Sequence, residues 1–132
     1  MDTRLLNKLK IKENMQGLIL NVPPDKQELE KCLREKGYLS NATTEFDFVI
    51  CFVQTEEQVV NCIPFVYDIK FDGLLWMVYP KKSSKLSSEI TRDEGWKSLH
   101  DIGYQGVAMI AIDDVWSAFR FRSKSLIKSS KK

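Results

Sequence analysis

A chain of 132 residues can bury one sizeable hydrophobic core but is short for an enzyme carrying both a full cofactor site and a substrate lid, so a single domain is expected. Its 20 basic and 18 acidic side chains leave a net charge of +2, too balanced to draw the whole molecule to nucleic acid or an anionic membrane; any attraction has to be local. The start lacks a signal-peptide apolar run and no stretch approaches the roughly 20 apolar residues of a membrane helix. Cys32, Cys51 and Cys62, with no CxxC spacing, fit reduced thiols in a cytoplasmic protein. The single histidine, His100, has no neighbouring thiol or second histidine to complete a metal site, and no metal is expected.

In chain order, TRLLNKLK places Leu5, Leu6 and Leu9 at helical spacing. GLILNVPP follows as a strand apolar on both faces, the pattern of a parallel strand covered by helices, and is ended by two prolines. Asp25 is then expected to cap a helix whose Glu28 reaches back, with Leu29, Cys32 and Leu33 as its buried face and Gly37 as its left-handed C-cap. TEEQ at Thr55 and TRDE at Thr91 repeat the capping pattern. The second helix should bury Val59, Val60, Ile63 and Val66, bent or shortened by Pro64, and the third Trp96, Leu99 and Ile102, closed by Gly103. Between them lie strands FDFVICFV (46–53), LLWMVY (74–79) and GVAMIAI (106–112), with Asp72-Gly73 turning into the middle one and a weak strand near Tyr38.

This alternation of strand and helix predicts a three-layer, Rossmann-like α/β fold with a mostly parallel sheet. In DDVWSAFRFR, Val115, Ser117, Phe119 and Phe121 alternate with Trp116, Ala118, Arg120 and Arg122, and no crossover helix separates the segment from GVAMIAI. An antiparallel C-terminal strand at or near a sheet edge is therefore expected. The domain is assigned to residues 1–122 and a flexible basic tail to 123–132. From Arg120 onward there are six basic residues (Arg120, Arg122, Lys124, Lys128, Lys131, Lys132), four serines and no acid.

In such a sheet the ligand zone lies beyond the carboxyl ends of the parallel strands, which here carry Asn21, Gln54, Thr55, Lys81, Lys82 and Asp113. The first loop, NVPPDKQE, lacks the glycine-rich turn of nucleotide sites; two prolines remove amide donors and add bulk, so no cofactor is assigned. YPKKSSK, Tyr79 to Lys85, can hold a small anion or simply be a solvated loop, and Arg120 or Arg122 strengthens the first reading only if it faces the same cavity. Asp113 and Asp114 point apart in an extended segment and read as a turn, with Asp113 the ligand-facing alternative. Cys32 and Cys51 read as packing residues, Cys62 is unconstrained, and no catalytic residue is named. A protein partner at an open sheet edge or a small anionic ligand is favoured over nucleic acid.

GLLWMVYPKKSSKLSSEITRDEGW (73–96) and AIDDVWSAFRFR (111–122), with GLILNVP more loosely, resemble a small bacterial domain family of undefined biochemical role with a truncated Rossmann-like methyltransferase fold. Methyltransferases of that fold bring S-adenosylmethionine to a glycine-rich first loop and place an acid after the second strand for its ribose. Here Val22-Pro23-Pro24 occupies the glycine region, and Glu45 or Asp47 stands as an unaligned candidate acid. The resemblance implies a Rossmann-like sheet and an undefined biochemical role, and the blocked first loop predicts a non-catalytic or vestigial methyltransferase-like binding domain. The alternative is a small S-adenosylmethionine-dependent enzyme or an anion sensor using Lys81, Lys82 and Asp113, which leaves enzymatic activity open.

Overall fold

The computed structural model describes residues 3–42, 45–82 and 88–126. One five-stranded sheet runs β1 (Gly17–Leu20), β2 (Phe46–Phe52), β3 (Ile69–Pro80), β5 (Trp116–Ser123), β4 (Tyr104–Ala111) from edge to edge. The first three strands are parallel, and β5 lies antiparallel between β3 and β4. The mostly parallel sheet and antiparallel C-terminal strand thus form as the residue patterns predict. The last strand is not the outermost one: β5 is hydrogen-bonded on both sides and leaves the edge to β4. It runs through Ser123, and Lys124–Leu126 form a 3-10 turn.

Two apolar clusters divide the sheet into layers. Leu6 and Leu9, from α1 (Thr3–Lys8) and the residue after it, and Leu29 and Leu33 of α2 (Gln27–Glu35) pack with Phe48, Ile50, Phe52, Trp76, Val78, Trp116 and Ala118 on one face. Val59 and Val66 of α3 (Glu56–Val66) and Leu99 of α4 (Lys97–Asp101) pack with Val49, Leu75, Met77, Tyr79, Trp96 and Phe121 on the other. Strands apolar on both faces are what this arrangement demands. The buried Trp76 indole donates to the Leu9 carbonyl at 3.0 Å, tying the end of the first helix to the sheet.

The steps β1 to β2 and β2 to β3 go the same way across the sheet, yet α2 and α3 cover opposite faces, so the two crossovers have opposite hand. The step from β3 to β4 carries α4 on the same face as α3 and shares its hand. Right-handed crossovers are nearly universal, and a sheet containing both hands departs from that rule. The consequence is local: at their carboxyl ends β1 and β2 send their helices to opposite faces, the arrangement that places the crevice of an open α/β sheet between them.

Several local expectations change. Val60 is 51% exposed and Cys62 takes its place in the core, where it is disulfide-bonded to Cys51; neither is a free thiol, and Cys32 alone is free, buried on α2. The register of α3 sets this choice, because Val59, Cys62 and Val66 share the sheet-facing stripe. Pro64 lies only two residues from the helix end and does not stop it short. Thr91 accepts from the Glu94 amide at 3.1 Å in an isolated turn rather than a helix start, and α4 begins after Trp96. Asp72-Gly73 sits inside β3, where the pairing of Phe46 with Ile69 jumps to Phe48 with Leu74. The weak strand near Tyr38 amounts to one bridge between Leu39 and Gly17.

Candidate functional site

The carboxyl-end rim assembles from five segments: the loop after β1, the start of α3, the end of β3, the turn after Ile90, and Asp113 leading into β5. Asn21 terminates β1 in the left-handed region at φ 59°, a conformation asparagine tolerates. Its amide donates to the Phe52 carbonyl at 3.2 Å, bridging the crevice between β1 and β2. Thr55 caps α3 by accepting from the Gln58 amide at 3.1 Å, while the Gln58 side chain accepts from the Gln54 amide at 2.6 Å. The Gln54 carbonyl in turn takes the Glu89 amide at 2.8 Å. These three candidate residues therefore hold the rim itself together.

Asp113 is the centre of a second network. One oxygen accepts the amides of Val115 and Trp116, both at 2.8 Å, and the other pairs with the Lys26 ammonium. Burial alone would raise this carboxyl, but Lys26 and the two amides outweigh it and hold Asp113 below the ordinary carboxylate value. One residue earlier in the first loop, Asp25 accepts from the Trp116 indole at 3.2 Å, and the Trp116 ring meets Phe52 edge-on at a centroid distance of 5.3 Å. The expected helix-capping role of Asp25 is not realised: Pro23 and Pro24 carry the chain into a 3-10 turn (Pro24–Lys26), and neither that turn nor α2 has a side-chain cap. The loop after β1 is thereby clasped to the start of β5.

Lys81 and Lys82 belong elsewhere. With Tyr79, Thr91, Arg92 and Ser117 they line a cavity of about 170 Å³ on the α4 side of the sheet. Asp113 stands on the other side, joined to Lys26, and so the proposed union of Lys81, Lys82 and Asp113 is not formed. Sequence reasoning missed Arg92 and Ser117 as partners of the lysines. The only signal was the even spacing of Ser117, Phe119 and Phe121, which puts that hydroxyl on the same face as Tyr79.

Arg120 and Arg122 face the α1 and α2 side, because they alternate with Phe119 and Phe121. The antiparallel run carries them toward the amino-end rim, where Arg122 makes a bidentate pair with Asp72 at 2.8 and 2.9 Å. Burial and the neighbouring Arg122 push Arg120 below the usual guanidinium value, opposed by Asp72. Asp47 is also on that opposite rim: it accepts from the Gln16 amide at 2.8 Å and pairs with Lys70 at 3.2 Å. Glu45 precedes it, exposed and at φ 63°. Neither acid reaches the crevice. Lys85, Lys128, Lys131 and Lys132 lie outside the described residues. Among the described residues no group of three or more histidine, cysteine or acidic side chains could hold a metal, and no helix is long and apolar enough to cross a membrane.

No family model and no curated protein matches the sequence. Solved structures share the fold at low identity. A SAM-dependent methyltransferase from Aquifex aeolicus is similar with a TM-score of 0.57 and 11% identity, over 90% of this chain and 87% of that one. A protein in the NADB-Rossmann superfamily from Streptococcus agalactiae gives 0.53 and 10%, over 98% and 71%. The mitomycin 7-O-methyltransferase MmcR gives 0.54 and 13% over 82% of this chain, which spans 42% of MmcR. The chain is a small Rossmann-like domain that resembles S-adenosylmethionine methyltransferases in fold.

Proposed function

We propose that this domain acts by binding, and that it no longer uses the methyltransferase crevice for S-adenosylmethionine. The observation that carries this reading is the closure of that crevice by the chain's own groups. Asn21 spans β1 and β2 through Phe52, and Asp25 and Lys26 are engaged by Trp116 and Asp113. A cofactor placed there would need the loop amides that a glycine-rich turn exposes, and Pro23 and Pro24 supply none. Of the acids it could use for its ribose, Asp47 and Glu45 stand at the opposite end of β2, and Asp25 and Asp113 at the rim are engaged by Trp116 and Lys26. The residues present do not fit the group, and no transfer step is derived through it.

A protein partner is one form that such binding can take. β4, YQGVAMIA, is an edge strand without a charged residue or proline, and its Val107 and Met109 are exposed. Edges of that kind are normally guarded, and an unguarded one favours strand addition.

The test is a titration of the ¹⁵N-labelled chain with S-adenosylmethionine and S-adenosylhomocysteine, followed by amide shifts. The expected result is no saturable change at Asn21 to Lys26 or at Asp113 to Trp116. Saturable shifts there, with methyl transfer to an acceptor, would overturn the proposal.

A further inference from the structure

From the cavity on the α4 side we infer a binding site for a small tetrahedral oxyanion, the phosphate group of a small ligand or free phosphate, held by Lys81, Lys82 and Arg92. This deepens the binding reading above and rests on it. Lys81, Lys82 and Arg92, with the hydroxyl-bearing Tyr79, Thr91 and Ser117, line about 170 Å³. That volume is well below the roughly 300–1,000 Å³ of pockets that enclose drug-sized ligands, and it suits a phosphate group.

The lining groups are available for this use. Among the described residues neither Lys81 nor Lys82 has a carboxylate at ion-pair distance. Among the described residues the Arg92 guanidinium pairs with its neighbour Asp93, at 3.5 Å and with both side chains largely exposed, a contact weak enough in water to be exchanged. The Thr91 oxygen accepts the Asp93 and Glu94 amides, at 3.3 and 3.1 Å, which leaves its proton free to donate. Ser117 is 8% exposed, and its hydroxyl has no hydrogen-bond partner among the described residues. As part of the cavity wall, that hydroxyl can donate to an entering oxyanion. Among the described residues Tyr79 donates to the Met109 sulfur at 3.4 Å, a weak acceptor, and burial raises its phenol against the opposing Arg92, so it remains a donor at neutral pH.

The floor beneath these groups is built on Trp96. The Trp96 indole donates to the carbonyls of Thr91 and Arg92 at 2.8 and 3.1 Å, and its ring lies against Tyr79, Phe119 and Phe121. The Lys81 amide is fixed to the Val115 carbonyl at 2.7 Å. These bonds fix the backbone from which the Lys81 and Arg92 side chains project.

The test uses the full chain, ¹⁵N-labelled, titrated with inorganic phosphate and with free phosphoserine, against sodium chloride at matched ionic strength. Saturable shifts at Tyr79, Lys81, Lys82, Arg92 and Ser117, weakened roughly 10-fold or more in Arg92→Gln, are expected. Tighter binding of phosphoserine identifies an esterified ligand, and equal binding identifies the free ion; either supports the site. Shifts reproduced by chloride, or unchanged in Arg92→Gln, overturn it. Arg92 is largely exposed and its replacement leaves the core intact. S-adenosylmethionine shifts at Asn21 to Lys26 would overturn the closed-crevice reading instead, so the two failures are told apart by position.

Discussion

Replacing Asp113 by asparagine removes a charge while keeping an oxygen of nearly the same shape, which isolates the electrostatic part of the rim clasp. The side chain accepts two amides at 2.8 Å and pairs with Lys26, the two side chains being 33% and 21% exposed. A hydrogen bond to a charged group contributes about 1 kcal/mol more than a neutral one, and a partly exposed ion pair about 0.2–1 kcal/mol. Discounted for solvent, Asp113→Asn should cost about 1–2 kcal/mol at pH 7, or roughly 3–10 °C in Tm for a chain of this size. The folded pKa lies below the unfolded one, so the stabilisation is complete above the unfolded value of about 3.9 and is lost as pH falls through the folded value. Urea unfolding of both proteins at pH 7 and pH 3, followed by circular dichroism, should show a penalty that shrinks at the lower pH. A variant as stable as the parent at pH 7, or a penalty independent of pH, would refute the ionised clasp.

Two further substitutions probe the fold and the cavity. Gly17→Ala would place a Cβ 2.2 Å from the Phe48 carbonyl oxygen of the neighbouring strand, so β1 must shift; a loss of about 1–3 kcal/mol in urea unfolding is expected, and a neutral result would put β1 in a different register. Trp96→Phe deprives the Thr91 and Arg92 carbonyls of their donor and leaves a void. It should cost about 1–3 kcal/mol and weaken the phosphate-dependent shifts; unchanged shifts would show that the indole does not position the turn.

How much of this was legible in the sequence follows from how each signal is encoded. Burial is written locally, in residue types that repeat with the period of their own element. Strands Gly17–Leu20, Phe46–Phe52 and Trp116–Ser123, and the buried faces of α2 and α4, were therefore readable directly. Capping signals are also local but ambiguous. Thr55 and Thr91 carry similar motifs, yet only the former starts a helix, because Thr91 is followed by Asp93, Gly95 and a tryptophan whose indole holds the turn. The candidate rim residues were found by position in the topology, but their partners were not. By sequence Asp25 reads as a helix cap, yet it accepts from Trp116, 91 residues away; Lys81 and Lys82 read as partners of Asp113, yet Arg92 and Ser117 complete their cavity.

The sequence by itself determined the class of fold, the inward and outward faces of its strands, and the absence of a glycine-rich first loop, since each depends on residues close together in the chain. Only the tertiary structure decided which face each connection takes, that β5 lies inside the sheet, and that Asp113 and the lysines act on opposite sides of it. Those outcomes depend on how distant segments compete for the same space and the same hydrogen-bonding groups, and neither periodicity nor composition records that competition.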